Sequence, residues 1–263
     1  MKTISICIII KNEEKALSGF LKNIVDFADE IIITDTGSSD NSPNIVKKFI
    51  NEGYKNIKFY KYETSDGFHY GKAKNFSIKK ATKDFIIILD ADERLSSDFE
   101  EKIRQFFKEK NPNIATVVRI DEALPHFIDS LQERIIKNGL GILYGTNEDN
   151  RLHEQLIHNF KTMQFKAPIL HCQRENHWLQ QPHRKLVSII GIDVEKTPKT
   201  KSFFGHFLRG IWVFQFKFKK IYFRQKTYKD GFLGFKYAFV KAFSDFLVQI
   251  FVGLKPKKGY KYW

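Results

Sequence analysis

Asp90, Asp92 and Glu93 stand together at the end of the apolar run Phe85-Ile86-Ile87-Ile88-Leu89, and they are the residues in this chain best placed to do chemistry. Five β-branched and apolar residues are too few for an ordinary helix and read as a strand buried on both faces. The acids therefore lie at a strand's carboxyl end, the edge where open α/β sheets bind ligands. If the extended geometry persists, Asp90 and Asp92 point the same way and can share one hard divalent cation. Mg²⁺ or Mn²⁺ held by one or two carboxylates completes its shell with water and phosphate oxygens, so the expected guest is a nucleotide diphosphate. The blander reading is that the three acids only end a strand and cap the next helix.

The elements that must position these acids alternate. Residues 3 to 10 form a first strand, and Glu13 to Phe27 carry Leu17, Phe20, Leu21, Ile24 and Val25 at helical spacing. Glu30 to Asp35 is a second strand ending in an acid, and Pro43 opens the helix that follows its loop. Ile57 to Tyr62 is a third strand, Ala73 to Ala81 a short helix, and Phe85 to Leu89 the fourth strand. Strands alternating with helices imply a mostly parallel α/β sheet with right-handed crossovers. With the strand order 3-2-1-4, Asn12, Asp35 and Asp90 meet at one mouth. No Gly-x-Gly-x-x-Gly loop follows the first strand, which argues against a dinucleotide enzyme; a metal at Asp90 and Asp92 would replace its amides.

Composition sets the outer limits. A chain of 263 residues suits one α/β domain plus an appendage. Its formal charge is +14, yet residues 201–263 alone hold fourteen Lys and Arg against two Asp, so a nearly neutral domain carries a basic tail. Only two cysteines occur, Cys7 and Cys172, and they imply no disulfide framework and a reducing compartment. The apolar start is followed by Lys11-Asn12-Glu13-Glu14 and reads as a strand, not a signal peptide. The cluster His171, Cys172, His177 and His183 has no spacing suited to zinc. Met163 and its apolar neighbours read as core.

Four segments together resemble a family 2 glycosyltransferase of the GT-A (Rossmann-like) fold: Ile8 to Glu14, Ile33 to Asp40, Ala73-Lys74-Asn75 and Leu89 to Glu93. The likeness is nearest to bacterial lipopolysaccharide-core glucosyltransferases, and Arg151-Leu152-His153-Glu154-Gln155 is similar to the His-Glu segment after the sheet of such enzymes. The resemblance implies a UDP-sugar donor, with Asn12, Glu13, Asp35 and Lys74 around the nucleotide and Asp90, Asp92 and His153 at the metal. Lys74 stands where relatives usually have Arg, which trades a bidentate fork for a point charge. An inverting transfer also needs a base on the acceptor side. Glu154 and Asp129 are the leading candidates, ahead of Asp121 and Glu122; Asp129 opens a stretch to Arg134 that is similar to the family's acceptor side.

These readings divide the chain into a transferase domain over 1–200 (nucleotide-sugar half 1–120, acceptor half 121–200) and a tail over 201–263. The tail is rich in Phe203, Phe204, Phe207, Trp212, Phe214, Phe216 and Phe218, breaks at Tyr228 to Phe232, and resumes with Phe235, Phe239, Phe243, Phe246 and Ile250 at steps of three and four. Its charges recur too often for a free-standing span, so an amphipathic helix in the headgroup layer is expected. The enzyme is then cytoplasmic and bound peripherally to the inner face of the membrane, with a lipid-linked saccharide as acceptor. RNA binding by the basic aromatic tail is a second class, disfavoured by the helical stripe. A nucleotidyltransferase is a third, disfavoured by the loop after the first strand.

Overall fold

The structure, a computed structural model, describes residues 1–63, 69–121, 124–146, 155–172 and 199–255, with backbone alone at 121 and 125–130. In chain order the elements are β1 (Ile4–Ile10), α1 (Glu14–Ile24), β2 (Glu30–Asp35), α2 (Ser42–Asn51), β3 (Ile57–Lys61), α3 (Tyr70–Lys80) and β4 (Phe85–Leu89). They continue with β5 (Glu93–Leu95), α4 (Phe99–Glu109), β6 (Ile114–Asp121), β7 (Leu124–Lys137), β8 (Leu143–Tyr144), β9 (Leu156–Ile157) and β10 (Met163–His171). Among the described residues two α-helices follow, α5 (Phe203–Lys219) and α6 (Gly231–Leu254).

Eight strands form one sheet in the order β3-β2-β1-β4-β7-β6-β10-β5, and β8 pairs with β9. The β3-β2-β1-β4 half is parallel and its order is the expected one. β7 then joins β4 antiparallel, so the sheet is mixed. β1, β2 and β4 are buried almost throughout, as strands covered on both faces must be. Ile4, Ile6, Ile8 and Ile10 face the layer of α1, with Phe20 and Phe99, while Cys7 and Ile88 face the opposite layer with Ile78. α1 buries Leu17, Phe20, Leu21 and Ile24, the i, i+3, i+4, i+7 stripe that drives a helix onto a sheet. Burial also pushes the Cys7 thiol up to about 12, which leaves it unreactive.

Contacts divide the chain into two compact units, one of residues 1–120 and 129–172, the other of 121–128 and 173–263. In the first, a buried anion braces the base of β2. Glu30 is 2% exposed and accepts hydrogen bonds from Ser5 Oγ (2.6 Å), Lys58 Nζ (2.5 Å), Thr82 N (2.8 Å) and Thr82 Oγ1 (2.8 Å). Burial opposes its ionisation, but the donors from Lys58, Ser5 and Thr82 prevail and bring it down to about 2. A folded pKa below the unfolded one gives stability that is complete above the ordinary glutamate range and lost as pH falls through it toward about 2. Glu30→Gln should therefore cost about 2 kcal/mol at neutral pH, short of the ~3–5 of a fully buried pair because Lys58 reaches solvent. Thermal unfolding should show this deficit narrowing below pH 4.

In the second unit α5 packs along α6 through small residues. Ala238 and Ala242 are fully buried, and a Cβ at Gly210 would come within 2.9 Å of Phe246 Cδ2. Lys201 N–H donates to His206 Nε2 (3.3 Å), so Nδ1 carries the proton and donates to Gln249 (3.1 Å) in the seam. The break between the helices is a π turn at Lys220–Arg224 and a 3₁₀ turn at Thr227–Asp230. The helical stretch 227–254 is long and apolar enough to cross a membrane by length and composition only, with a mean hydropathy of 1.4 over an eighteen-residue window of which 39% is buried within the protein. Asp245 of α6 is paired with Lys217 of α5 at 2.8 Å. Met163 departs from expectation, being 37% exposed at the start of β10.

Candidate active site

At the carboxyl ends of β1, β2 and β4 lies a cavity of about 420 Å³ lined by Lys11, Glu13, Thr36, Tyr70, Lys74, Asp90, Asp92 and Arg119, among others. A second, of about 730 Å³, shares Lys74, Asp90 and Arg119 with it and extends over β7 and β9. Asp90 thus stands where two adjoining spaces meet.

The acids do not continue the strand. Glu93 N–H donates to the Asp90 carbonyl at 3.0 Å and closes a turn, after which β5 pairs antiparallel with β10. Simple alternation therefore does not orient Asp90 and Asp92. Asp90 Oδ2 accepts from Arg134 Nη2 at 2.9 Å, with Lys74 Nζ 3.8 Å from Oδ1. Asp92 Oδ2 lies 3.1 Å from His171 Nε2, and the Asp92 carbonyl accepts from Cys172 N at 2.8 Å. The two carboxylates line one cavity wall but are steered by different partners.

Glu93 is no strand cap. Fully buried, it meets Arg134 Nη2 at 2.8 Å and Arg119 Nε at 3.0 Å, and its other oxygen accepts from Asp90 N at 2.9 Å. Burial pushes the Glu93 carboxyl up, more than Arg134 and Arg119 pull it down. Burial likewise works against Asp90, but here Arg134 and Lys74 prevail and hold it well below the usual carboxylate range. Asp92 is also lowered: burial opposes, and the His171 hydrogen bond wins. The site therefore keeps Asp90 and Asp92 anionic beside Lys74, Arg119 and Arg134, a balance suited to a diphosphate and a cation together.

Of the residues expected from the sequence, Glu13, Lys74, Asp90 and Asp92 line the smaller cavity and Asn12 and Asp35 do not. Asn12, at φ 57, accepts through Oδ1 from Ser39 N (2.8 Å) and Asp40 N (3.3 Å), stapling the loop after β2. Asp35 is 4% exposed and accepts from Gly37 N and Ser38 N of the same loop. Both shape the wall on which Thr36 is displayed. Lys74 also lies 5.2 Å from the Tyr144 ring centroid, and Tyr144 is tied to α3 by reciprocal hydrogen bonds with Asn75 (2.7 and 2.9 Å). His153, Glu154, Glu122, His177 and His183 lie outside the described residues, as do the side chains of Asp121 and Asp129. Arg119, Arg134, Glu93 and His171 gave no sequence signal as a group, since no spacing motif links charges so far apart in the chain.

The family model for glycosyl transferase family 2 matches residues 5–173, and the chain belongs to that family. A glycosyltransferase of Rickettsia felis is 24% identical over 263 residues, covering 94% of this chain and 88% of its own. A TPR repeat-containing protein of Synechococcus elongatus is 30% identical over 138 residues, covering 52% of this chain. The chain spans about a third of that relative, 32%, and 35% of a glycosyltransferase of Rickettsia typhi. Among solved structures, residues 1–349 of S. aureus TarS in complex with UDP-GlcNAc superpose with a TM-score of 0.51 at 17% identity, covering 94% of this chain and 81% of that one. The mannosyltransferase PcManGT of Pyrobaculum calidifontis, with GDP-Man and Mn²⁺, gives 0.52 at 12% identity, covering 96% and 73%. The expected GT-A fold, with a helical aromatic extension, is the fold observed.

Proposed function

We propose that this chain is a metal-dependent, inverting glycosyltransferase that moves a hexose from a UDP-sugar to a lipid-linked saccharide of the cell envelope. The observation that carries this is the cavity at the strand ends, where ionised Asp90 and Asp92 face Lys74 and Arg119. Such a mixed set suits a diphosphate with a cation between phosphate and carboxylate and with the lysine and arginine against the remaining phosphate charge. UDP-GlcNAc in the TarS structure, and GDP-Man with Mn²⁺ in the mannosyltransferase, support the donor and the metal.

The residues fit the ion. Among the described residues Asp90 Oδ1 has Lys74 near it at 3.8 Å, beyond hydrogen-bond reach, and the Asp92 side chain is 39% exposed, so hard oxygens are available on one wall. Asp90 and Asp92 would hold Mg²⁺ or Mn²⁺, with His153 as the expected third ligand. When bound, the cation stabilises the charge that develops on the departing diphosphate. Lys74 neutralises phosphate from α3, while Arg134 fixes the Asp90 rotamer. Among the described residues no cluster of three or more His, Cys, Asp or Glu forms a metal site by itself.

A screen of nucleotide sugars by thermal unfolding, with and without Mn²⁺, tests this reading. Ligand at 100 times its Kd adds about 2.7 kcal/mol, so one UDP-sugar should raise Tm and should need Mn²⁺ to do so. Indifference to every nucleotide sugar, or stabilisation by RNA instead, refutes it.

The tail supplies the membrane part of the proposal. Phe204, Trp212, Phe216, Phe223, Phe232 and Leu254 are 49–79% exposed on the α5–α6 hairpin, among Lys219, Lys220, Arg224 and Lys229. Exposed rings beside lysines match the interface of an anionic bilayer at the cytoplasmic face. Replacing Trp212 and Phe232 by Ser should lower co-sedimentation with anionic vesicles about tenfold with Tm unchanged, since both side chains are largely solvated. Unchanged sedimentation would leave the hairpin without a membrane role.

A further inference from the structure

The larger cavity contains a carboxylate that the donor site does not use. Glu133, on β7, accepts two hydrogen bonds on one oxygen: His158 Nε2 lies 3.1 Å and Thr162 Oγ1 3.1 Å from Oε1. The histidine tautomer follows from its other contact. Phe160 N–H donates to His158 Nδ1 at 3.2 Å, so Nδ1 is bare and Nε2 carries the proton that Glu133 receives. The Phe160 ring lies nearly parallel to the imidazole, with centroids 6.4 Å apart, and helps fix its plane. One carboxylate oxygen is thus anchored. The other, Oε2, takes no hydrogen bond from a described residue, although Glu133 and His158 both line the 730 Å³ cavity.

The lining says what could sit there. Glu133, Gln132 and Gln155 offer acceptors and amide donors and Leu131, Leu156 and Tyr144 apolar and aromatic surface, while the cations at its donor end, Lys74, Arg119 and Arg134, stand against the carboxylates of Asp90 and Glu93, which offset their charge. A free carboxylate oxygen repels phosphate and accepts from hydroxyls. Mixed polar groups over apolar surface suit a molecule with hydroxyls at its edge and C–H on its faces, which is a neutral sugar ring. At about 730 Å³ the space falls within the ~300–1,000 Å³ of small-molecule sites and exceeds what a single water-filled niche needs. It also opens beside Asp90 and Lys74, next to the proposed donor.

We propose that this cavity seats a neutral sugar unit of the acceptor, and that Glu133 Oε2 accepts a hydrogen bond from one of its hydroxyls while His158 and Thr162 hold the carboxylate in place. The inference rests on the glycosyltransferase reading and adds to it a residue that selects the acceptor.

The test titrates the UDP-saturated full chain with the methyl glycosides of glucose, galactose, mannose and N-acetylglucosamine, followed by ligand-observed NMR. At least one glycoside should bind saturably, and Glu133→Gln should weaken it about tenfold, as expected for losing a hydrogen bond to a charged group, with UDP affinity unchanged. His158→Leu should weaken it similarly, and His158→Gln, which retains an N–H donor, should recover part of the loss. Should Glu133→Gln lose UDP as well, Thr162→Val carries the test, with about a threefold loss expected. Absence of glycoside binding in a wild type that binds UDP overturns the proposal, as does equal binding by the Glu133 and His158 variants. A wild type that does not bind UDP instead removes the donor reading on which it stands.

Discussion

Asp92→Asn should reduce sugar transfer at least about a hundredfold while the protein melts within a degree or two of wild type. The substitution removes one negative charge and almost no volume. The amide oxygen of the substituted side chain can still accept from His171, and the loop remains tied by the Cys172 amide to the carbonyl of residue 92 and by the Glu93–Asp90 turn. What it removes is half of the charge available to a divalent cation on that wall. Stabilisation of a leaving diphosphate by a metal contributes several kcal/mol to the transition state, and each 1.36 kcal/mol lost is a factor of about ten. The matching binding measurement is Mn²⁺-dependent thermal stabilisation by UDP, which should vanish in the variant. Because Asp90 and Asp92 are both held below the ordinary carboxylate range, the wild-type effect should persist as pH falls through the usual aspartate titration and fade only below it. Transfer at the wild-type rate in Asp92→Asn would place the diphosphate elsewhere.

What the sequence shows clearly is whatever depends on local pattern. Runs such as Ile31-Ile32-Ile33 and Phe85 to Leu89 must be covered on both faces, and the alternation of such runs with helices fixes the parallel half of the sheet, with Asp90 at its carboxyl edge. It fails where the deciding contacts are distant in the chain. Nothing near Glu93 announces that Arg119 and Arg134 will converge on it, or that His171 will meet Asp92 across 79 residues. The helix start at Tyr70 was hidden for a related reason: His69 caps it through Nδ1 to Gly71 N at 3.1 Å, an unusual capping residue. Asn12 and Asp35 illustrate the converse. Their positions at the strand ends were legible, whereas the hydrogen bonds that Asn12 Oδ1 and Asp35 Oδ1 accept from backbone donors of the loop after β2 needed the course of that loop. The tail's aromatic spacing was readable as helical, whereas the pairing of Lys217 with Asp245, which lowers the cost of an apolar setting, needed the two helices side by side.

Arg134→Met should be the most destabilising single change among these charged residues. Arg134 is 5% exposed, and its Nη2 serves both Asp90 Oδ2 and Glu93 Oε1. Burial alone would lower the guanidinium, yet Glu93 and Asp90 hold it firmly protonated. Removing one partner of a buried pair leaves an uncompensated charge, at a cost of about 3–5 kcal/mol, whereas neutralising the whole group is far cheaper. At roughly 2–4 °C per kcal/mol for a chain of this size, Tm should fall by about 10 °C. Glu93 then decides the pH dependence. Already raised by burial, it loses Arg134 and rises further, so its neutral form fits the variant and its charged form does not. A folded pKa above the unfolded one gives stability present at low pH and lost as pH rises through it, so the deficit of Arg134→Met should be smaller at about pH 5 than at about pH 8. The double variant Glu93→Gln, Arg134→Met should recover a large part of the loss at the higher pH, because no buried charge then depends on Arg119 alone. Unfolding curves of the four proteins at the two pH values measure the coupling directly, and strict additivity would show that Arg134 and Glu93 do not stabilise each other.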